Sequence, residues 1–167
     1  MSSISTLITK GTTPRGGNIA YLDSGVGFLR AENVLGYDKI SKLDLKYIST
    51  ETHLKYLKRS ILFEDDIIIT IAGTLGRTGL IKKEDLPLNT NQAISIVRIF
   101  NKHLTDLRYL TYILNSPLIQ SNLTKQKKIT AIPNLTLEII SNCVIPIAPV
   151  EQQKKIVNTL DYLFYLL

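Results

Sequence analysis

The sequence is poor in the residues on which most small-protein chemistry depends. Its 167 residues include one cysteine, Cys143, two histidines and no tryptophan. One cysteine excludes an intrachain disulfide framework and a cysteine-rich zinc site. There is no apolar run near the roughly 18 residues that span a bilayer, and residues 1–6 lack the layout of a secretory signal. These absences predict a cytoplasmic protein without a metal, a cofactor or a membrane partner.

Catalytic signatures are absent as well. Residues 73–79 resemble a phosphate-binding loop, but they lack its Lys-Ser/Thr ending and lead into a predicted strand instead of a helix. Asp65 and Asp66 stand before a strand, where a turn favours aspartate, and no nuclease-like acid-x-Lys follows. His53 and His103 are far apart and have no evident catalytic partners. The glycine-rich turn and the Asn/Asp-Pro-Pro-aromatic tetrapeptide of amino-methyltransferases are missing, so we predict a binding protein and not an enzyme.

The charge of the chain has one sign in excess. Twenty Lys and Arg residues against fourteen Asp and Glu residues give a formal net charge of +6. A basic excess favours a polyanionic partner, and nucleic acid is the usual one. A scattered, solvated basic surface is the alternative.

The apolar pattern predicts an α/β (α+β) fold. Residues 9–27 are dense in Gly, Thr and Pro and predict a loop, and residues 28–30 predict a short strand. Residues 67–71 are continuously apolar or β-branched, as in a fully buried strand. Residues 79–82 and 93–99 predict further strands of a twisted, mostly antiparallel sheet with tight glycine turns.

Helices are predicted beside this sheet. A short helix should follow its N-cap Thr50 and run to Arg59, with Leu54 and Leu57 on its apolar side. A second should begin at its cap Asp106 and stop at residues 116–117. A third should run over residues 117–126, because proline suits a first turn, and residues 127–134 should form a loop.

The end of the chain is its most periodic part. Residues 144–149 predict an extended, proline-punctuated connector, and the chain from Val150 onward contains no Gly or Pro and predicts a helix. Its apolar residues have the a/d spacing of a coiled coil, and unpaired they would leave a wide apolar surface in water. Packing back on its own domain is the alternative. We therefore predict a domain over residues 1–148 and a spacer or dimerisation helix over residues 149–167, with the seam Ile156, Val157, Leu160, Leu163, Phe164 and Leu167.

Several predicted loops carry side chains suited to DNA. Residues 10–15 combine two cations with two hydroxyls on a small-residue backbone that can approach phosphates. Arginine suits a guanine edge, Asn and Gln suit adenine, and lysines at a helix–loop junction neutralise the DNA backbone. For any one of them an ordinary turn or surface position is the alternative. The predicted DNA-binding residues are Lys10, Thr12, Thr13, Arg15, Arg30, Asn33, Arg77, Asn91, Gln92, Lys125, Lys127 and Lys128.

Seven short segments follow one another along the chain: Lys10-Gly-Thr-Thr-Pro14; Phe28-Leu-Arg-Ala-Glu-Asn-Val34; Tyr47-Ile-Ser49 with His53 and Leu57-x-Arg59-Ser60; Asp66-Ile-x-Ile-Thr-Ile-Ala-Gly-Thr-Leu-Gly-Arg-Thr-Gly79; Asn91-Gln-Ala93; Thr130-Ala-Ile-Pro-Asn-Leu135; and Ile145-Pro-Ile-Ala-Pro-x-Glu-Gln152. Each is weak alone. Together, over essentially the whole chain, they resemble a target recognition domain of the specificity (S) subunit of type I restriction-modification enzymes.

The resemblance implies a function and a set of partners. It implies an α/β recognition domain followed by a helix that packs antiparallel against the equivalent helix of a second recognition domain, each domain reading half of an interrupted target. The S subunit is non-catalytic: it docks modification (methyltransferase) subunits, which methylate adenine, and restriction subunits join for cleavage. The expected partners are double-stranded DNA, a modification subunit and a restriction subunit.

The chain departs from the family pattern in size. It has one recognition domain instead of two, a short lead-in, and a final helix of about 18 residues, ~27 Å long. We expect a half-sized subunit that pairs with itself or with another half, and a symmetric pair implies a palindromic, interrupted target. A fragment of a longer subunit is the alternative. Two other functions stay open: a small nuclease or methyltransferase with an unrecognised site, and an interaction module that does not read DNA.

Overall fold

Strands dominate the first two thirds of the chain and helices the last third. The computed structural model describes residues 1–16, 20–100, 104–124 and 135–166. The helices are α1 (Leu107–Asn115), α2 (Pro117–Thr124), α3 (Leu137–Asn142) and α4 (Val150–Tyr165). The strands are β1 (Ser5–Lys10), β2 (Val26–Leu29), β3 (Val34–Gly36), β4 (Lys39–Ile40), β5 (Lys46–Ile48), β6 (Ile61–Leu62), β7 (Ile67–Thr70), β8 (Thr78–Leu80), β9 (Leu88–Thr90) and β10 (Ile94–Ile99).

Two four-stranded sheets form the centre of the domain. The first has the order β1-β10-β7-β8 and is antiparallel throughout. The second has the order β5-β2-β9-β6, in which only the β2–β9 pair is parallel. The short β3–β4 hairpin packs beside β8. The predicted mixed fold with a mostly antiparallel sheet is confirmed.

The apolar run in β7 is explained by burial on both faces of the first sheet. Successive side chains of a strand point to opposite faces. Ile67 and Ile69 lie in the cluster formed with the helices, together with Leu110 of α1. Ile68 lies in the cluster between the two sheets, together with Leu88 of β9. An alternating polar pattern would have left one of these layers without its apolar contacts.

The far face of the second sheet has its own small core. Phe28 and Ile48 pack there against Leu57, and the ring of Tyr21 contacts that of Phe28 with centroids 5.5 Å apart. The layers are therefore helices, first sheet, second sheet and the helical turns around Leu57.

The predicted loop over residues 9–27 is wrong at both ends. Thr9 and Lys10 close β1, and Val26 and Gly27 open β2. The strand β1 was not predicted, because its sequence, Ser-Thr-Leu-Ile-Thr-Lys, is only partly buried and lacks a clear alternation. Its pairing with β10 forms it.

The predicted helix over residues 50–59 is confirmed over its first part, since residues 50 and 51 are α-helical and run into the π-helical segment Thr52–Tyr56; its end is a separate 3-10 turn, Lys58–Ser60. The capping side chain belongs to Ser49 and not to Thr50, since the Ser49 Oγ accepts from the Thr52 N–H at 3.1 Å. Leu57 is buried as predicted, but Leu54 is exposed.

The predicted boundaries of α1 and the predicted start of α2 are confirmed, whereas the predicted end of α2 at residue 126 lies outside the described residues. The Asp106 carboxylate accepts from the N–H groups of Arg108 and Tyr109 at 2.8 and 3.0 Å, which caps the first turn. Ser116 ends α1, and Pro117 begins α2. The predicted loop over residues 127–134 lies outside the described residues.

The Asp65–Asp66 pair has a structural role at Asp66, as the turn interpretation predicts. Its carboxylate is fully buried and accepts from Arg98 Nε and Nη2 at 2.7 and 2.8 Å. It also accepts from the Phe63 N–H at 2.9 Å, which closes the turn before β7. The Arg98 guanidinium in turn lies over the Phe63 ring.

Candidate nucleic-acid interface

One edge of the first sheet gathers three loops. Lys10, the last residue of β1, pairs with Ser95 near the start of β10, and Thr70, the last residue of β7, pairs with Ile94. Because these neighbouring strands are antiparallel, the loop after β1, the turn before β10 and the turn after β7 emerge together. We call the surface formed by residues 11–16, 71–77 and 91–93 the loop edge.

The first loop is held against the sheet by its own backbone. The Gly11 N–H donates to the Ile94 carbonyl and the Thr12 N–H to the Thr90 carbonyl, both at 3.0 Å. A Cβ at Gly11 would press against the carbonyl oxygens of residues 90 and 91, so only glycine permits this approach. The Thr13 hydroxyl donates to the Gln92 side chain, which joins two loops that are distant in the sequence. Lys10, directly before this loop, and Arg15 within it are both exposed.

The turn before β10 is closed by Asn91. Its Oδ1 accepts from the Ala93 N–H at 3.1 Å, and its N–H donates to the Leu29 carbonyl at 3.3 Å. The carboxamide oxygen therefore serves the turn, while the side chain of Gln92 is exposed.

The turn after β7 presents Arg77 on a fixed backbone. Gly73 and Gly76 adopt φ of 76° and 80°, which other residues rarely do. The Arg77 N–H donates to the Thr70 hydroxyl at 3.0 Å, and the Gln120 amide of α2 donates to the Gly76 carbonyl at 2.9 Å. The Arg77 side chain is exposed at this rigid turn.

Two predicted DNA-binding residues, Arg30 and Asn33, make contacts within their own domain. Asn33 is 2% exposed; its Oδ1 accepts from the Arg30 N–H at 3.0 Å and its Nδ2 donates to the Leu43 carbonyl at 3.2 Å. The Arg30 guanidinium pairs with Glu32 at 2.7 Å and reaches the Asp44 carbonyl at 3.4 Å. Both side chains stabilise the turn that follows β2.

The predicted lysines Lys125, Lys127 and Lys128 lie outside the described residues. The chain is described up to Thr124 and again from Leu135. The Leu135 N–H donates to the Ile71 carbonyl at 3.0 Å, so the chain re-enters the described structure at the loop edge.

Arg59 is not among the DNA-binding residues predicted from the sequence, although the structure brings it to the loop edge. Its Nη2 donates to the Thr12 hydroxyl at 2.9 Å. The available signal was its position in a segment that resembles the family pattern, together with its place in a lysine-rich stretch.

A buried histidine supports the turns that carry Arg59. His53 Nδ1 lies 3.1 Å from Asn89 Nδ2, which also donates to the Leu57 carbonyl at 3.2 Å. Burial lowers the pKa of His53 from its ordinary value of 6.5. A neutral ring that accepts from the amide through Nδ1 fits this surrounding.

The predicted seam of α4 is divided between two faces. Val157 is buried against Tyr109 and Tyr112 of α1, and Leu160 packs at the same contact. The Phe164 ring lies 5.0 Å from that of Tyr37. This half of the seam packs back on its own domain, which was the alternative to intermolecular pairing.

The other half of the seam faces outward. Ile156 and Leu163, seven residues apart, are 38% and 48% exposed. Leu167 lies outside the described residues.

None of the helices within the described ranges combines the length and the apolar content needed to span a bilayer.

Polar contacts anchor the start of α4. Gln153 is fully buried; its Oε1 accepts from the Asp106 N–H at 2.7 Å, and its Nε2 donates to the carbonyls of Leu104 and Ala148 at 3.1 and 2.6 Å. Asp106 also caps α1, so the two helices share one anchoring point.

The comparison with protein families settles the affiliation of the chain. The family described as type I restriction modification DNA specificity domain matches residues 7–167. The chain belongs to this family. The specificity subunit of the type I restriction enzyme EcoBI from Escherichia coli is 33% identical over 121 residues, which are 72% of this specificity domain and 25% of that subunit. The resemblance predicted from the seven segments is confirmed.

Solved structures share the fold of this specificity domain. The HsdS subunit from Thermoanaerobacter tengcongensis matches with a TM-score of 0.66 and 17% identity over 99% of this chain and 36% of that one. A chain from a structure that concerns complex assembly and conformational transition of the type I R-M system matches with a TM-score of 0.68 and 17% identity, over 95% of this chain and 36% of that one. The type I restriction-modification S subunit from M. genitalium matches with a TM-score of 0.58 and 16% identity, over 96% of this chain and 37% of that one. The specificity domain thus spans about a quarter of the curated relative and little more than a third of these chains.

Proposed function

We propose that this specificity domain reads a short base sequence in double-stranded DNA and directs the adenine methylation and the cleavage that partner subunits perform. The main support is the meeting of three loops at one edge of a rigid sheet, with Lys10, Arg15 and Arg77 exposed there and Gln92 between them. The chain itself contributes recognition and no chemistry. It acts in the cytoplasm, where these partners and DNA meet.

Different parts of the loop edge have different tasks in this proposal. Lys10, Thr12, Thr13 and Arg15 contact the phosphates and set the position of the duplex. Arg77 and Gln92 contact base edges in the major groove, because a guanidinium matches guanine and a carboxamide matches adenine. Asn91 holds the turn and approaches the DNA with its Nδ2. Arg30 and Asn33 act indirectly through the turn after β2, and Lys125, Lys127 and Lys128 add phosphate contacts.

The outward face of α4 is proposed to bind a second helix of the same kind. Ile156 and Leu163 are exposed on this face, while Val157 and Leu160 attach the helix to its own domain. One recognition domain with one such helix reads half of an interrupted target. Pairing with itself or with another half restores the two-domain form, which docks the modification subunit and, for cleavage, the restriction subunit.

The decisive experiment is co-purification of the chain with a modification subunit, followed by mapping of methylated adenines in plasmid DNA. We expect one interrupted motif, and selection from a randomised duplex library should return the same motif. If the complex forms but neither assay yields a motif, an interaction module is favoured. If the purified chain alone turns over DNA with a metal or a methyl donor, it is an enzyme and the proposal fails.

A further inference from the structure

A cleft opens between the first loop of the loop edge and the turns that follow β5. Thr12, Thr13 and Arg15 line one wall, and Thr52 and Tyr56 line the other. Its volume is about 750 Å³, and the Tyr56 side chain at its rim is 73% exposed. The hydroxyls of Thr12 and Thr13 and the guanidinium of Arg15 therefore face a wall that carries the Tyr56 ring.

The charge around this cleft is positive. The first loop supplies Arg15, with Lys10 at the end of β1 directly before it, and the turns supply Lys58 and Arg59, all of them exposed. Glu51, the single acid in residues 49–60, is paired with Lys55 at 3.2 Å. The cleft therefore presents a field that favours an anion.

Arg59 is held at the cleft by the fold beneath it. The Leu57 carbonyl accepts from Asn89 Nδ2 at 3.2 Å and from the Ser60 N–H at 2.9 Å, so the backbone on both sides of Arg59 is fixed to β9. The side chain then reaches the Thr12 hydroxyl at 2.9 Å. A guanidinium carries five N–H donors, and this bond uses one of them.

We propose that this cleft binds the sugar-phosphate backbone of double-stranded DNA, with Arg59 contacting a phosphate and Tyr56 packing against the adjoining sugar. The proposal deepens the proposed function, because it adds to the loop edge a backbone contact from residues that the sequence analysis did not select. A fixed guanidinium bonded to a neighbouring hydroxyl is suited to two phosphate oxygens. The contact carries no sequence information, so it positions the duplex for Arg77 and Gln92.

The test is the salt dependence of binding to a mixed-sequence duplex, measured by fluorescence anisotropy. Log affinity falls as log salt rises, and each phosphate contact makes this slope steeper by about 0.9. One contact therefore changes the affinity roughly threefold over a fourfold range of salt. Arg59→Gln retains a donor for Thr12 but removes the charge, so the slope should become shallower by about 0.9. Thr12→Val removes the bond and a proposed neutral phosphate contact but retains the charge, so it should weaken binding at every salt concentration while the slope stays close to that of the wild type.

Two further variants keep the test decisive. Lys83→Ala removes a charge at the opposite end of the first sheet and should leave the slope unchanged. Arg59→Lys should keep nearly the wild-type slope, and it provides the comparison if Arg59→Gln does not fold. The proposal is overturned if Arg59→Gln keeps the wild-type slope or merely matches Thr12→Val. In that case normal selection of a motif by Arg59→Gln would leave the proposed function standing, whereas a wild-type chain that binds no DNA at all would overturn both.

Discussion

Arg108 of α1 and Asp161 of α4 form a bidentate ion pair, in which Nη1 donates to Oδ2 at 2.7 Å and Nη2 donates to Oδ1 at 2.5 Å. The same guanidinium bonds Asp38 between β3 and β4 through Nε at 3.1 Å, and the Tyr112 hydroxyl donates to Asp161 at 2.5 Å. Three separate parts of the chain meet in this cluster. Together with Gln153 and Val157 it fixes the direction in which α4 leaves the recognition domain.

Replacing Asp161 should loosen α4 without unfolding the sheets. Asp161→Asn loses the charge that faces Arg108, and we expect the free energy of unfolding to fall by about 1 kcal/mol, since the pair is partly solvent-exposed. Urea unfolding monitored by circular dichroism measures this. Glu151→Gln, which removes an exposed ion pair on the same helix, is the matched control and should have less than about half of that effect.

The same carboxylate predicts a pH dependence. Burial alone would raise the pKa of Asp161, but the hydrogen bonds from Tyr112 and Arg108 outweigh it and lower the pKa from its ordinary value of 3.8. Its contribution to stability is therefore present above pH 3.8 and is lost as the pH falls through the folded-state pKa. The difference between wild type and Asp161→Asn should shrink in that acid range; a constant difference would show that the charge is not involved.

His53 predicts a second pH effect, which has the same sign as that of Asp161 but lies at higher pH, because its ordinary pKa is 6.5 and not 3.8. Burial lowers its pKa in the folded state, so the unfolded state binds the proton more readily. Its contribution is complete above pH 6.5 and decreases as the pH falls below 6.5 towards the folded-state pKa. His53→Gln removes the titrating group, and its unfolding free energy should fall less steeply than that of the wild type in this window. Parallel pH profiles would count against the assignment.

The outward face of α4 can be tested apart from its inward face. Ile156→Asp combined with Leu163→Asp should abolish pairing and leave a folded monomer, because both side chains are exposed. Light scattering gives the mass and circular dichroism the folded state. Leu160→Asp is unsuited to this purpose, since Leu160 packs against α1 and its loss damages the domain itself. A dimer that survives the double substitution would exclude this face as the pairing surface.

Arg77→Ala should relax the base preference at one position of the motif. The loss of a bidentate guanine contact costs roughly 1–3 kcal/mol of discrimination. Selection from a randomised duplex library reports this as a degenerate position. Lys10→Ala is the control, because a phosphate contact weakens binding to all sequences equally. A motif that Arg77→Ala leaves intact would remove Arg77 from the base-reading residues.

Prediction from sequence succeeded where the local chain carries the whole signal. The buried strand β7 follows from its β-branched residues, and the start of α1 follows from the carboxylate of its cap Asp106. The break between α1 and α2 follows from the pyrrolidine ring of Pro117. It failed at β1, at Leu54 and at the cap of the turns after β5, where short, partly polar segments have no decisive periodicity. Such segments acquire their conformation from the strand or turn against which they pack.

The sequence by itself determined the family, the basic excess, the principal strands and helices and the loops with DNA-compatible side chains. Only the tertiary structure decided that Thr13 meets Gln92, that Arg59 reaches Thr12, that Asn33 faces inward and that Val157 is used within its own domain. Each of these depends on which distant segments lie side by side. Local periodicity specifies which face of an element is apolar, but the pairing of strands and helices specifies what covers that face.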